Sequence, residues 1–418
     1  MRQDIPNIRH LRVFMEVAHC RSVSAAATRA HLSQPAVTQA VAKLEEELGA
    51  SLFERRPDGM FTTAIGTRFL FRVERALDHL ETGAREAARV GLRHQARGFT
   101  RFDRLLTAAQ LRALSALSEA SNFSMAARNI GLSQPSIHRA ARNLEKLSGI
   151  RLFDSAPEGV SLTHAAQTLA QRTRLALSEL QQGFDEVGEY LGRDSSQIVV
   201  GSLPLARSSI MPEAINAMVA ARPRVQVRVV DGTYDELLRR LRHGDIDFLI
   251  GALRFPAPAD DVSQEHLFDD PLAIIAGARH PLAGKAMVEL EDTLAYPWVA
   301  PPKSTPAGSY LFNTLRIQER EETPVRVVSS SLVLLRGLLT TGNYITIIST
   351  HQTAHELETG LLVTLPVALG DNARPIGLAF RKEWKPTPAQ KLFLDFVREA
   401  AKSSIPELRN PGVYSQNQ

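Results

Sequence analysis

Apolar residues from Ile8 to Leu48 recur at helical spacing in three bursts separated by polar breaks. Ile8, Leu11, Phe14, Met15 and Val17-Ala18 mark a first amphipathic helix over 8–20. Val23 to Ala30, centred on Ala25-Ala26-Ala27, marks a second, with Ser24 as its expected N-cap and Leu32 packing inward behind it. Val37, Val41, Leu44 and Leu48 mark a third over 34–48. Ser33 stands at its N-cap position, Pro35 in the first turn, where a missing N–H costs nothing, and Gly49 at its end. The opposite face of that helix shows Gln34, Thr38, Gln39 and Lys43. The pattern predicts helix, tight turn, helix. Leu52 to Arg56 and Met60 to Thr63 then read as two strands around Pro57-Asp58-Gly59, a turn in which Pro fixes φ and Asp-Gly supports positive φ. Such a ribbon after a helix-turn-helix is a wing.

From Ala64 to about Arg93 the pattern is one long helix. Its seam of Phe69, Val73, Ala76-Leu77, Leu80, Ala84 and Ala87-Ala88 is too long for a small domain to cover, and a dimerisation helix is the expectation. Periodicity breaks over 94–102, a linker. The whole pattern then returns with an offset of 100 residues and no gap. Leu32-Ser33-Gln34-Pro35 recurs as Leu132-Ser133-Gln134-Pro135, Leu44-Glu45 as Leu144-Glu145, Leu52-Phe53 as Leu152-Phe153, and Gly49, Gly59 and Thr63 as Gly149, Gly159 and Thr163. An ungapped repeat of this length is a duplicated structural unit. The second copy runs over 103–163, and its trailing helix over 164–191 has a seam at Leu169, Leu177, Leu180, Phe184, Val187 and Leu191. Asp194-Ser195-Ser196 is a polar hinge.

Beyond 197 the texture changes to alternating strands and helices. Strands at 198–202, 225–230 and 247–251 enclose helices at 212–221 and 234–242, a βαβαβ unit with a parallel sheet. A strand at 272–276 follows. A second lobe carries strands near 298–299, 325–328 and 344–348, and helices at 310–318 and 331–340. A strand at 376–380 and a helix at 388–401 close the chain. The expected fold class is therefore multidomain: two winged helix-turn-helix domains with long linker helices, then an α/β two-lobed domain. The expected boundaries are 1–63, 64–102, 103–163, 164–196 and 197–403, with lobe 1 over about 197–276 and 376–403, lobe 2 over about 277–375, and a polar tail over 404–418.

Composition narrows the classes. The chain has 418 residues, 44% apolar and 22% charged, which suits several soluble globular domains and no single core. No apolar run is long enough to span a bilayer, the N-terminus lacks an apolar signal core, and the lone Cys20 fits a reducing cytoplasm. The net charge of +4 is uneven. Residues 1–104 hold 17 Lys/Arg against 12 Asp/Glu, residues 105–193 hold 9 against 8, and the rest hold 23 against 25. A polyanion is therefore to be sought at the first repeat. Enzymatic motifs are absent: no GxSxG, HExxH or paired CxxC occurs. His351 and His355, spaced i, i+4 beside Glu356, read as surface residues more readily than as metal ligands, so neither a metal nor a cofactor is expected.

The run Leu32-Ser33-Gln34-Pro35-Ala36-Val37-Thr38, with Leu44-Glu45, Leu48-Gly49, Leu52-Phe53-Glu54-Arg55 and Thr63, resembles the winged helix-turn-helix of LysR-type transcriptional regulators. Residues 197–403 resemble that family's effector domain, a two-lobed fold like periplasmic binding proteins. The matching residues are Gly201-Ser202-Leu203-Pro204 ahead of Met211-Pro212, Gly244-Asp245-Ile246-Asp247, His280-Pro281-Leu282 and Ser329-Ser330-Ser331. Within the family, segments 204–208 and 247–252 are similar to regulators of sugar-binding proteins and of aromatic catabolism. The resemblance implies a cytoplasmic regulator that binds double-stranded DNA and a small-molecule effector, self-associates as a dimer or tetramer, and works with RNA polymerase. Family members carry one winged domain, so the second copy is a departure.

A recognition helix needs polar side chains at the end that enters the major groove. Gln34, Thr38 and Gln39 fit base edges, Ser33 and Pro35 head the helix start, and Lys43, Arg55 and Arg56 suit phosphates. The second copy keeps Ser133 and Gln134 and adds His138, Arg139 and Arg142, but Ser155-Ala156 replace the wing cations. It is either a second DNA contact or an architectural copy. In the two-lobed part, effector contacts are expected at Ser202, Leu205, Arg207 and Ser208, at Ser304 and Thr305, and at Ser329 and Ser330. For each hydroxyl, plain helix capping is the competing role. An enzyme or small-molecule binding protein on the two-lobed fold, with the repeats as interaction modules, is the alternative class.

Overall fold

The computed structural model describes residues 5–91, 101–120, 122–157, 159–193, 196–319 and 324–403. The linker at 94–100, Asp194-Ser195 of the hinge, and the tail lie outside the described residues. Contacts divide the chain into two units, Met1–Gln197 with Arg242–Asp245, and Ile198–Leu241 with Ile246–Gln418.

In the first unit the helices α1 (Ile8–Cys20), α2 (Val23–Ala30) and α3 (Gln34–Leu48) are followed by the strands β1 (Phe53–Arg56) and β2 (Gly59–Thr62) and by the long helix α4 (Ala64–Gly91). The same order returns as α5 (Ala108–Ser118), α6 (Phe123–Asn129), α7 (Gln134–Ser148), β3 (Phe153–Ala156), β4 (Gly159–Leu162) and α8 (His164–Tyr190). Side-chain caps set the starts. Ser33 and Ser133 accept the N–H groups of Ala36 and Ser136 at 3.4 and 3.3 Å, and Gly49 and Gly149 end α3 and α7 at φ 70° and 67°. One cap differs from expectation. Ser22, not Ser24, caps α2, because Val23 is already helical and the free N–H of Ala25 lies 3.3 Å from the Ser22 hydroxyl. Both ribbons are antiparallel, with Arg55 opposite Met60 and Ser155 opposite Val160.

The seam of α4 is buried at every expected position, and α8 of the same chain covers it. The physical reason is that the duplication supplies, in the same polypeptide, a helix with the matching apolar stripe. Apolar side chains of both repeats form one continuous core, in which Phe14 meets Phe53 and Phe69 (centroids 5.2 and 5.8 Å) and Phe69 meets Phe184 (5.9 Å). Burying Phe69, Val73, Leu77 and Leu80 contributes roughly 1.5–3 kcal/mol each, so apolar burial drives the pairing. Ion pairs then fix its register.

The second unit holds two five-stranded sheets. The first is built from β5 (Gln197–Ser202), β6 (Gln226–Val230), β7 (Phe248–Ala252), β8 (Val262–Asp270) and, late in the chain, Arg374–Arg381. The second takes β9 (Leu272–Gly277), β10 (Trp298–Ala300), β11 (Val325–Val328), β12 (Ile345–Ser349) and β13 (Leu362–Thr364), which makes the late strand β14. The orders are β6-β5-β7-β14-β8 and β11-β10-β12-β9-β13. β5 runs parallel to β7, and β10 runs parallel to both β11 and β12. The helices are α9 (Ile210–Ala221), α10 (Tyr234–Arg242), α11 (Leu290–Thr293), α12 (Pro306–Ser309), α13 (Leu332–Thr341), α14 (Ala354–Glu358) and α15 (Pro388–Ser403).

Several details depart from the sequence reading, β13 and α11 among the unexpected elements. Residues 272–276, expected in the first lobe, pair antiparallel with β12 and β13, so the chain changes lobes at Pro271. β8 was not expected, because Ser263, Gln264, Glu265 and His266 hide the alternation; its pairing with β14 supplies what its composition does not. The helix expected over 310–318 starts earlier, at Pro306 behind the Thr305 cap, and runs into a wider turn over Tyr310–Thr314 in which the Leu315 N–H reaches the Tyr310 carbonyl at 3.0 Å.

Candidate nucleic-acid interface

On α3 the residues Val37, Ala40, Val41, Leu44 and Leu48 are buried, while Ser33, Gln34, Pro35, Thr38, Gln39 and Lys43 are all exposed. The period of the helix thus puts all of the expected DNA contacts of α3 on one solvent face. Gln34 Nε2 donates to Ser24 Oγ at 3.2 Å, and Thr38 Oγ1 donates to its own helix at the Gln34 carbonyl, 3.1 Å. Both bonds orient side chains without burying them. Gln39 and Lys43 project free of such restraint.

The ribbon is tied to α3 by Glu45. Its Oε1 accepts the N–H groups of Leu52 at 2.7 Å and Phe53 at 3.2 Å, and Glu145 does the same for Leu152 and Phe153 at 2.9 and 3.1 Å. A carboxylate holding two backbone donors fixes the angle between helix and wing. At the tip Arg55 and Arg56 are exposed. Arg56 is engaged by Glu54 and lies 4.9 Å from the Phe61 ring centre, with Arg21 at 5.1 Å from the same ring. Arg21 therefore adds a cation beside the wing that the sequence pattern did not single out, because its neighbour Phe61 comes from a distant strand.

On α7, Ser133, Gln134, His138, Arg139 and Arg142 are likewise exposed. Gln134 accepts from the Ser124 hydroxyl at 2.8 Å, His138 packs on Phe123 with centroids 5.0 Å apart, and Arg142 bonds Glu145 at 2.6 Å. Arg139 makes no ion pair among the described residues.

In the second unit the expected effector residues follow the carboxyl ends of three parallel strands, β5, β10 and β11, where ligands of open α/β sheets sit. Ser202 ends β5, is buried, and donates to the Leu203 carbonyl at 3.3 Å. Leu205 is buried in the short turn Pro204–Arg207, Ser208 is exposed, and Arg207 pairs with Asp231 at 2.5 Å. After β10, Ser304 is exposed, whereas Thr305 spends its hydroxyl on the Pro302 carbonyl (2.7 Å) and the Gly308 N–H (3.1 Å), a capping role. After β11, Ser329 accepts the Ser331 N–H at 3.1 Å, Ser330 is exposed, and Ser331 caps α13. His351 is held by Asp270 at 2.7 Å, while His355 is exposed on α14. Among the described residues no group of three His, Cys, Asp or Glu could hold a metal ion, and no helix is long and apolar enough to cross a membrane.

Residues 192–402 match the LysR substrate binding domain family. Residues 8–67 and again 108–167 match the bacterial regulatory helix-turn-helix protein family, lysR type. The chain is 33% identical over 396 residues to the HTH-type transcriptional regulator GalR of Pseudomonas putida, an alignment covering 95% of this chain and 98% of that protein, and therefore both repeats. It is 29% identical over 276 residues to the regulator PcaQ of Agrobacterium fabrum, covering 66% of this chain and 89% of that one. The fold is similar to that of full-length OxyR from Pseudomonas aeruginosa, with a TM-score of 0.50 at 20% identity over 71% of this chain and 95% of that one. By these matches the chain is a regulator rather than an enzyme, and it belongs to the LysR family of ligand-responsive, DNA-binding transcriptional regulators.

Proposed function

We propose that the first repeat is a winged helix-turn-helix that reads DNA sequence through α3. In this reading Gln34, Thr38 and Gln39 meet base edges, Ser33 and Pro35 present the helix start, and Lys43, Arg55 and Arg56 meet phosphates. The observation that carries it is the exposed polar face of α3, held at a fixed angle to a cationic ribbon by Glu45. The second repeat is a winged helix-turn-helix of the same design, making a second DNA contact through Gln134, His138, Arg139 and Arg142, with Ser133 at the helix start. Its wing lacks cations, so it binds through the helix alone.

The effector is a small sugar or a carboxylic or aromatic acid, held by Ser202, Leu205, Arg207 and Ser208 on one lobe and Ser304, Thr305, Ser329 and Ser330 on the other. Hydroxyls and backbone groups at strand ends suit such a ligand. Binding shifts the chain between assemblies by differential affinity. The test is a gel shift of the full chain on its own upstream DNA. A salt-dependent, sequence-selective shift that weakens in Gln34→Ala and Thr38→Ala is expected. A shift insensitive to sequence and to both substitutions refutes the reading.

A further inference from the structure

The pairing of α4 with α8 has a symmetry that its contacts make explicit. Arg72 Nη2 bonds Glu186 at 2.6 Å, and Arg172, one hundred residues on, bonds Glu86 at 3.1 Å, one hundred residues back. Gly183 lies so close to Arg72 and Phe69 that a Cβ would stand 3.1 Å from each, and Gly83 lies so close to Arg172 and Leu169 that a Cβ would stand 2.7 and 3.3 Å away. A Cβ on Gly91, at the end of α4, would meet Ile150 behind α7, while Gly49, behind α3, lies against Leu191 just past α8. The first two contacts recur with the partners exchanged between repeats, and the third recurs displaced by one residue. That is the signature of an isologous two-fold interface, the kind that joins two identical chains. Here it is closed inside one.

The symmetry is broken at the centre of the seam. Glu179 stands where the first repeat has His79, Gln182 where it has Thr82, and Arg75 where the second repeat has Leu175. Arg72 takes Glu179 at 2.9 Å and Gln182 at 2.7 Å, and Arg75 takes Glu179 at 2.8 Å. Two α4 helices from separate chains would set Arg72 against His79 and Thr82, removing the shared carboxylate from both arginines. Two α8 helices would set Arg172 against Glu179, Gln182 and Glu186 with Leu175 in place of Arg75, leaving two carboxylates to each arginine. The buried polar groups are therefore satisfied best by the unlike pair, which selects α4 with α8 over either like pair.

We propose that a single chain is a complete two-headed DNA-reading unit, its α4–α8 clasp pairing the two repeats in cis so that one chain reads one site with two unlike halves. This rests on the DNA-reading role proposed above for both helices. A pair of identical heads would read a palindrome. Here α3 offers Gln34, Thr38 and Gln39, side chains suited to adenine and to the thymine methyl, with a cationic wing. α7 offers Arg139, suited to guanine, beside Gln134 and His138, with a neutral wing. One half-site is thus selected for A·T pairs, the other for a G·C pair, and self-association of the chain must use surfaces other than the α4 seam.

Two measurements on the full chain test this. In a Cys20→Ser background, Glu86→Cys with Arg172→Cys places two thiols at the partly exposed end of the clasp, where both native side chains are about a third exposed. A short bis-maleimide is expected to link peptides of α4 and α8 at single-chain mass on a denaturing gel. A linked product at twice the chain mass, or none, overturns the cis clasp. Footprints of Gln34→Ala and Arg139→Ala are then compared. Each is expected to weaken affinity roughly five- to a hundredfold and to lose protection in a different half of the site. Loss in both halves from Gln34→Ala alone, with Arg139→Ala unchanged, overturns it. Should the native chain give no footprint while the intrachain link forms, the DNA-reading role fails and the clasp stands.

Discussion

Arg72 is the side chain on which the clasp is most exposed to attack. It is 2% exposed, and its carboxylate partners Glu179 and Glu186 are 5% and 9% exposed. Burial opposes its charge and the two carboxylates restore it, leaving the guanidinium more firmly protonated than usual. Arg72→Ala removes the cation and leaves Glu186 buried without it, while Glu179 keeps Arg75. Breaking a buried pair from one side costs about 3–5 kcal/mol, because the remaining charge has lost both water and partner. For a unit of this size that is a fall of roughly 6–20 °C in its transition. The assay is scanning calorimetry of the full chain, with hydrogen exchange of α4 and α8 peptides to assign the transition. Two controls sharpen it. Arg72→Met with Glu186→Leu is expected to recover most of the loss, since an apolar pair of similar volume can replace a buried ion pair. Arg172→Ala, at the symmetry-related pair where both side chains are about a third exposed, is expected to cost only about 0–1 kcal/mol. A change below about 2 °C in Arg72→Ala, or equal losses from Arg72→Ala and Arg172→Ala, refutes the reasoning.

Three further outcomes are expected. Burial pushes the Asp247 carboxyl from its ordinary 3.8 up to about 6, against the bond it accepts from the Val199 N–H at 2.8 Å. A raised carboxyl stabilises the fold below the unfolded value and loses that contribution as pH rises through 6. Asp247→Asn should therefore be more stable than the native chain at pH 8, by up to about 3 kcal/mol, and equal to it near pH 4. Urea midpoints across that range check this, and a constant difference refutes it. Asp270 is fully buried and held by Ser349 at 2.6 Å, His351 at 2.7 Å and Arg374. Arg374→Ala should cost about 3 kcal/mol, read as a lowered melting transition of the second unit, and an unchanged transition sinks that view. Arg55→Ala and Lys43→Ala should each reduce the slope of log affinity against log salt by about 1 without changing which sequence is preferred; a changed preference would assign them to bases.

The amphipathic periods of 8–48, their return 100 residues later and the βαβαβ texture after 197 are local properties. Backbone hydrogen bonding and side-chain direction follow from short-range spacing, so α3, α7, their Ser caps and the polar face of Gln34, Thr38 and Gln39 were legible. So was the ribbon, because Pro57-Asp58-Gly59 encodes its own turn. Partners distant in the chain were not legible. β8 carries no alternation of its own and exists because β14 pairs with it. Residues 272–277 belong to the second sheet only because β12 and β13 flank them. Above all, the sequence determined that α4 must be covered, since a stripe of Phe69, Val73, Leu77 and Leu80 cannot face water. It did not determine by what. A chain of two repeats can satisfy that stripe across molecules or within one, and periodicity is the same in both cases. Only the tertiary structure decided it, by setting Arg72 against Glu179, Gln182 and Glu186, a match of buried charge between residues more than a hundred positions apart.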